Sequence, residues 1–320
     1  MRTPVAFIIF NRPDTTARVF AEIARARPTK LFIIADGPRP DKEGDADKCA
    51  AVRAIVDRVD WECDVQKHYA TTNMGCGRRA PTGIRWVFEQ VDEAIILEDD
   101  CVPHPTFFRF CEELLQKYRD DERVMHISGN NWLFGQKETP FSYLFSNYCL
   151  SWGWATWSRA FQYYDYEIQL WPTLRDTSWL LGVVDEPRAV CHWEKIFDLT
   201  YRDRDSFKAW DFQWLFTCWA HRGVSILPAK NLVENIGFGQ DATHPNISNK
   251  LSTLRATEMS FPLQHPPCMV RDREADQLIF NTTISPPRRV RSELLYKCAE
   301  SIPPPLRKLL ASLKSRFVFG

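Results

Sequence analysis

The first 130 residues alternate short, unbroken apolar runs with segments of helical apolar spacing, and no other feature constrains the fold as much. Val5-Ala6-Phe7-Ile8-Ile9-Phe10 and Leu31-Phe32-Ile33-Ile34-Ala35 are apolar throughout, as strands buried on both faces are. Val65, Lys67 and Tyr69 alternate from Asp64 and predict a third strand. Ala94 to Leu97 and Val124 to Ser128 predict a fourth and a fifth. Between them, Val52, Ile55, Val56 and Val59 stand at helical spacing, as do Ile84, Val87, Phe88 and Val91. Val19, Phe20 and Ile23 mark a helix that Asp14 can cap, and a Phe-rich helix is expected over Thr106 to Tyr118. Strand and helix in this alternation predict an α/β fold, a mostly parallel Rossmann-like sheet flanked by helices.

Such sheets bind ligands beyond the C-terminal ends of their strands. Here three strand ends carry polar turn clusters: Asn11-Arg12, Asp36-Gly37 and Glu98-Asp99-Asp100. They are expected on one edge of the sheet. Three adjacent carboxylates repel one another, so the acidic triplet requires a cation or hydrogen-bond donors. A hard divalent ion, Mn²⁺ or Mg²⁺, held by one or two carboxylates and a substrate diphosphate meets that need. A solvated acidic turn, or a cap for the next helix, is the plainer alternative.

The second half is irregular and aromatic. Nine of the twelve Trp residues lie between Trp152 and Trp219, so mixed helices, short strands and loops are expected beside the first sheet. Three segments follow: a donor-binding half at 1–130, an acceptor and catalytic half at 131–262, and a Pro-rich connection with a basic tail at 263–320. The tail carries Leu306, Leu309, Leu310 and Leu313 at helical spacing among Lys and Arg. It reads either as a surface that rests on an anionic membrane or as a helix packed on the domain.

Lys and Arg balance Asp and Glu, giving a formal net charge of zero, which disfavours nucleic acid as a partner. Ten scattered cysteines without Cys-x-x-Cys pairs read as thiols in a reducing compartment. The apolar run at Val5 is too short for a signal peptide and no stretch approaches a membrane span. A cytoplasmic location is expected, at most peripheral at the inner face of the membrane.

The apolar strand ending in Glu98-Asp99-Asp100, then Cys101-Val102-Pro103-His104-Pro105 and a Phe107-Phe108 helix, resembles the Asp-x-Asp region of GT-A glycosyltransferases. Within these it is similar to the N-acetylglucosaminyltransferase I type and related bacterial nucleotide-diphospho-sugar transferases. Phe10-Asn11-Arg12-Pro13, Ala35-Asp36-Gly37, Asn73-Met74-Gly75-Cys76, Trp152-Gly153-Trp154, Trp210-Asp211 and Asn235-Ile236-Gly237-Phe238-Gly239 with His244 resemble further family segments, and the likeness spans residues 4 to 245.

The resemblance implies an inverting hexosyl- or N-acetylhexosaminyltransferase that moves a sugar from a UDP-sugar to a hydroxyl of a glycan or lipid-linked acceptor. It implies Asp100 as metal ligand, joined by His244, with Glu98 and Asp99 on the donor ribose or sugar. Asp36 would accept from the uracil N–H, and Arg12 would face phosphate or base. Gly75 would lie near phosphate. Asp211 would be the general base, and Trp152, Trp154 and Trp210 would stack on acceptor sugars. Other readings stand beside these: Asp211 as a helix N-cap, the Trp residues as core anchors, and His244 as a turn residue. Two other classes are a non-catalytic sugar- or surface-binding protein on the same scaffold, and a nucleotidyltransferase. The latter usually has a Gly-rich loop after its first strand, and Asn11-Arg12-Pro13-Asp14 has no glycine.

Overall fold

The computed structural model describes residues 1–203, 209–238 and 250–286. The uninterrupted apolar runs form the centre of an eight-stranded sheet. Its strands are β1 (Val5–Ile9), β2 (Lys30–Ala35), β3 (Asp64–Tyr69), β4 (Glu93–Glu98), β6 (Val124–Ser128), β7 (Tyr143–Ser146), β8 (Trp154–Trp157) and β9 (Val224–Pro228). They are ordered β3-β2-β1-β4-β8-β6-β9-β7, and all but β7 and β8 run the same way. The fold is thus α/β with a mostly parallel sheet. A short antiparallel pair, β5 (Cys101–Pro103) with β10 (Val233–Asn235), sits at its edge.

Side chains alternate across the central strands, and each face has its own helices. Val5, Phe7, Leu31, Ile33, Ile95 and Leu97 pack with residues of α1 (Pro13–Ala26), α2 (Asp45–Val56) and α4 (Pro105–Lys117). Ala6, Phe32, Ile34, Ala94 and Ile96 pack on the other face, with residues of α3 (Cys76–Phe88) and α9 (Asp211–Ala220). Four helices lie between in sequence: α5 (Ser158–Phe161), α6 (Trp171–Arg175), α7 (Trp179–Val184) and α8 (Pro187–Arg202). With α10 (Arg273–Ile279), α6, α7 and α8 enclose a third cluster that includes Trp171, Trp193, Phe197 and Trp219. No helix among the described residues is long and apolar enough to cross a membrane.

Two features depart from the sequence expectation. The second half does not lie beside the first sheet. It continues that sheet, because β8 inserts antiparallel between β4 and β6, with Ile96 opposite Trp154. Strand order is decided by non-local packing, which no local apolar pattern encodes. Asp14 also does not cap α1. The helix begins at Pro13, so Arg12 holds the cap position and Asp14 falls in the first turn, where its charge meets the positive helix end.

Beneath β8 the aromatic residues form a fully buried stack. His126 lies against Trp154 at 4.9 Å between ring centroids, and Trp154 against Trp210 at 5.6 Å. The Trp214 indole N–H donates to His126 Nδ1 at 3.0 Å, which leaves the His126 proton on Nε2, 3.1 Å from the Leu150 carbonyl. Neutral imidazole therefore satisfies both partners, and burial pushes His126 from 6.5 down to about 3. Because the folded value is the lower one, the unfolded chain takes up the extra proton, and stability falls as pH drops through 6.5. At pH 5 the loss from this residue is about 2 kcal/mol. Urea midpoints at pH 7 and pH 5 should differ accordingly, and His126→Asn should flatten that difference. An unchanged slope in the variant would remove His126 from the account.

Candidate active site

Parallel register brings the three polar strand ends side by side, since Ile9 lies opposite Ala35 and Ile8 opposite Glu98. Arg12 leaves the cap of α1 and reaches the acidic triplet. Its guanidinium is a fork, with Nη1 2.9 Å from Asp100 Oδ2 and Nη2 on Asp99 Oδ1. Burial opposes the Arg12 charge, but Asp99 and Asp100 outweigh it and hold the group firmly cationic.

The carboxylates are not equivalent. Asp99 is 3 % exposed and both its oxygens are occupied, one by Arg12 and the other by the Phe10 amide at 3.1 Å. It anchors the strand ends instead of facing a donor sugar, which corrects the role expected for it. Asp100 keeps partial exposure, and its backbone carbonyl accepts from the Ile236 amide at 2.8 Å. Glu98 is half-buried among like charges. Burial pushes its carboxyl well up, and Asp100, Asp99 and Asp211 add to that while Arg12 opposes it.

Asp211, the first residue of α9, therefore comes close enough to Glu98 for their charges to interact. Cys76, at the start of α3, is exposed at its surface yet partly desolvated, and that desolvation, then the charges of Glu98 and Asp211, push its thiol up to about 11. That leaves Cys76 a thiol at neutral pH despite its place at a helix N-terminus, and a poor nucleophile. The Tyr164 hydroxyl donates to the Trp210 carbonyl at 3.1 Å and steadies the entry to α9. One Asp211 oxygen accepts from the Phe212 amide at 3.1 Å, so Asp211 serves its own helix end as well. Tyr164 carries no local sequence signal for this position, because its segment meets Trp210 only through the packing of α5 and α9.

Asp36 departs from its expected role. Its oxygens accept from the amides of Gly37 at 2.8 Å, Met74 at 2.9 Å and Gly75 at 2.9 Å, and from Asn73 Nδ2 at 3.1 Å. Four donors fill the acceptor sites of a carboxylate, so Asp36 holds the turn into α3 and offers no free oxygen to a base. The Gly75 amide is committed to that network and does not face phosphate. Glycine is needed there for its φ of +74°. Arg79, in the first turn of α3, is buried and donates to the Ala35 and His68 carbonyls.

Trp154 and Trp210 are likewise core residues. Trp154 is fully buried between His126 and Trp210, and Trp210 is 5 % exposed, so neither ring is open to a sugar. Trp152 differs. The antiparallel course of β8 places its start where β4 ends, and Trp152 meets Phe238 at 5.5 Å and Trp132 at 5.2 Å. The segment Asn235–Phe238 is delivered by β10 and lies directly over the ion pair. A Cβ on Gly237 would fall 2.2 Å from Asp100 Oδ2 and 2.9 Å from Arg12 Nη1, so any side chain there would have to displace the ion pair. Trp132 joins this aromatic edge without a signal in the sequence, while Phe238 comes to it from the segment after β10. His244 and the basic tail lie outside the described residues.

Among the described residues, no group of three or more His, Cys, Asp or Glu is arranged to hold a metal ion. The charge balance nevertheless suits a cation. Asp99 and Asp100 share the guanidinium of Arg12, and the upward push on Glu98 comes first from burial and then from the neighbouring carboxylates. A divalent ion fits here as one held by one or two carboxylates and completed by ligand phosphates.

No family model matches the chain, and no curated protein matches it. Among solved structures it is similar to a mannosyltransferase from Pyrobaculum calidifontis in complex with GDP-Man and Mn²⁺, at 12 % identity and a TM-score of 0.34, covering 49 % of this chain. The chain spans 45 % of that mannosyltransferase. It is also similar to mouse xyloside xylosyltransferase 1 in its apo form, at 13 % identity and a TM-score of 0.32, covering 68 % of this chain and 81 % of the other. A 4-diphosphocytidyl-2C-methyl-D-erythritol synthase from Anaerococcus prevotii matches at 9 % identity and a TM-score of 0.31, covering 49 % and 72 %.

Proposed function

We propose that the chain is a metal-dependent, inverting glycosyltransferase that moves a sugar from a UDP-sugar to a hydroxyl of a glycan or lipid-linked acceptor. The observation that carries this reading is the acidic strand end, where the Arg12 fork joins Asp99 and Asp100 beside Glu98, with Asp211 within electrostatic reach of Glu98. A carboxylate from the second half thereby acts electrostatically on an acidic strand end of the first. Residues 1–130 would bind the donor, residues 131–262 the acceptor, and the basic tail a membrane surface.

Asp100, with Glu98 beside it, would hold Mn²⁺ or Mg²⁺ together with diphosphate oxygens. The bound ion supplies Lewis-acid neutralisation of the departing diphosphate. Arg12, held to Asp99 by one arm of its fork, would offer the other to a phosphate oxygen. Asp211 takes the proton of the acceptor hydroxyl as its oxygen bonds to the anomeric carbon. The bond from that carbon to the diphosphate breaks, and its electron pair leaves with UDP. Trp152, with Trp132 and Phe238, forms the aromatic wall on which an acceptor ring packs. The test is slow hydrolysis of UDP-sugars that requires Mn²⁺ or Mg²⁺ and is abolished by EDTA. Failure to bind any UDP-, GDP- or CMP-sugar overturns the reading.

A further inference from the structure

We propose that Arg12 is an internal latch on the acidic strand end, which makes a divalent ion and a nucleoside diphosphate bind together and neither bind well alone. The proposal rests on the donor-site reading above and adds a rule for how that site fills.

Geometry limits what can move. The Arg12 backbone is fixed, because its carbonyl accepts from the Thr16 amide at 3.0 Å, the Thr16 hydroxyl at 2.7 Å and the Thr15 hydroxyl at 3.2 Å. Asp99 is buried and is also held by the Phe10 amide. The Arg12–Asp99 arm is therefore the permanent one. The other arm, from Nη1 to the less buried Asp100, is the one that opens. Gly237 passes over that arm without a side chain, so the Arg12–Asp100 contact lies directly under the backbone of that segment.

An ion arriving alone at Asp100 competes with Nη1 for one oxygen and with the Cys101 thiol, at 3.4 Å, for the other, and stands beside the Arg12 cation. A diphosphate arriving alone gains Nη1 only by uncovering Asp100, a second anion next to its own charge. Arriving together, the ion sits on Asp100 and the phosphate bridges the ion to Nη1, so every charge has an opposite neighbour. Two ligands that each remove the other's penalty are positively coupled, and the coupling is reciprocal.

The experiment is titration of Mn²⁺ into the full chain, with free Mn²⁺ read by electron paramagnetic resonance, with and without UDP or GDP and against protein-free blanks. In the wild type, nucleotide should tighten Mn²⁺ binding by about tenfold or more. Arg12→Gln should bind Mn²⁺ alone about tenfold tighter than the wild type and show a smaller gain from nucleotide. Asp100→Asn in the Arg12→Gln background should remove the gained binding. Thermal melts establish that the variants are folded. If Arg12→Gln does not fold, Arg12→Lys carries the test, since one ammonium cannot hold both carboxylates and should shift Mn²⁺ binding the same way by less. Nucleotide coupling in the wild type that folded Arg12 variants leave unchanged overturns the latch and leaves the donor-site reading standing. No nucleotide-dependent Mn²⁺ binding in the wild type overturns both.

Discussion

Replacing Asp100 by asparagine should lower kcat/KM for metal-dependent UDP-sugar hydrolysis by about 10³-fold, the several kcal/mol that a bound ion supplies to a departing diphosphate. Asparagine keeps the shape and a carbonyl oxygen for Arg12 Nη1, which Asp100 Oδ2 meets at 2.9 Å, so the fold should persist. What it removes is the negative charge at a carboxylate more exposed than Asp99. Asp99 cannot substitute, because Arg12 and the Phe10 amide already hold both its oxygens. Steady-state kinetics at several Mn²⁺ concentrations measure the effect. The same variant separates an enzyme from a sugar-binding protein on this scaffold, whose glycan binding it should leave intact. A variant within a factor of two of the wild type would take Asp100 out of the site.

Asp211→Asn should lower kcat for transfer by about 10²- to 10⁴-fold, the usual contribution of a positioned general base. Binding of nucleotide with Mn²⁺ should change little, since Asp211 approaches the site from α9 and not from the strand ends. Asparagine can still accept from the Phe212 amide, so the start of α9 keeps its side-chain partner. This separates catalysis from capping. If Asp211 only caps its helix, the variant loses some stability and keeps its turnover. Calorimetric nucleotide binding beside single-turnover transfer to an acceptor distinguishes the two outcomes.

The central strands were legible because an unbroken apolar run such as Leu31 to Ala35 has few other ways to be satisfied than burial on both faces. The acidic strand end was legible for an electrostatic reason, as adjacent carboxylates demand a counter-ion. The counter-ion that the structure supplies, Arg12, was read as a ligand-facing residue. Sequence gives the charge of a side chain but not its partner, and Arg12 and Asp99 are joined by strand pairing, not by proximity in the chain. Asp36 shows the same limit, since an acceptor at a strand end looks alike whether it binds a ligand or the amides of Met74 and Gly75. Among the tryptophans, composition could not separate Trp152 from Trp154. The insertion of β8 between β4 and β6 did so, burying Trp154 inside the strand and leaving Trp152, two residues before the strand begins, at the edge.

The most direct measurement of the central claim is ³¹P nuclear magnetic resonance of UDP-sugars, among them UDP-glucose and UDP-N-acetylglucosamine, incubated with the protein and Mn²⁺. Free UDP should accumulate from at least one donor, and should fail to appear with EDTA or with Asp100→Asn. Donors that stay intact and show no binding, or UDP release that is indifferent to EDTA and to Asp100, would contradict a metal-dependent glycosyl transfer at this strand end.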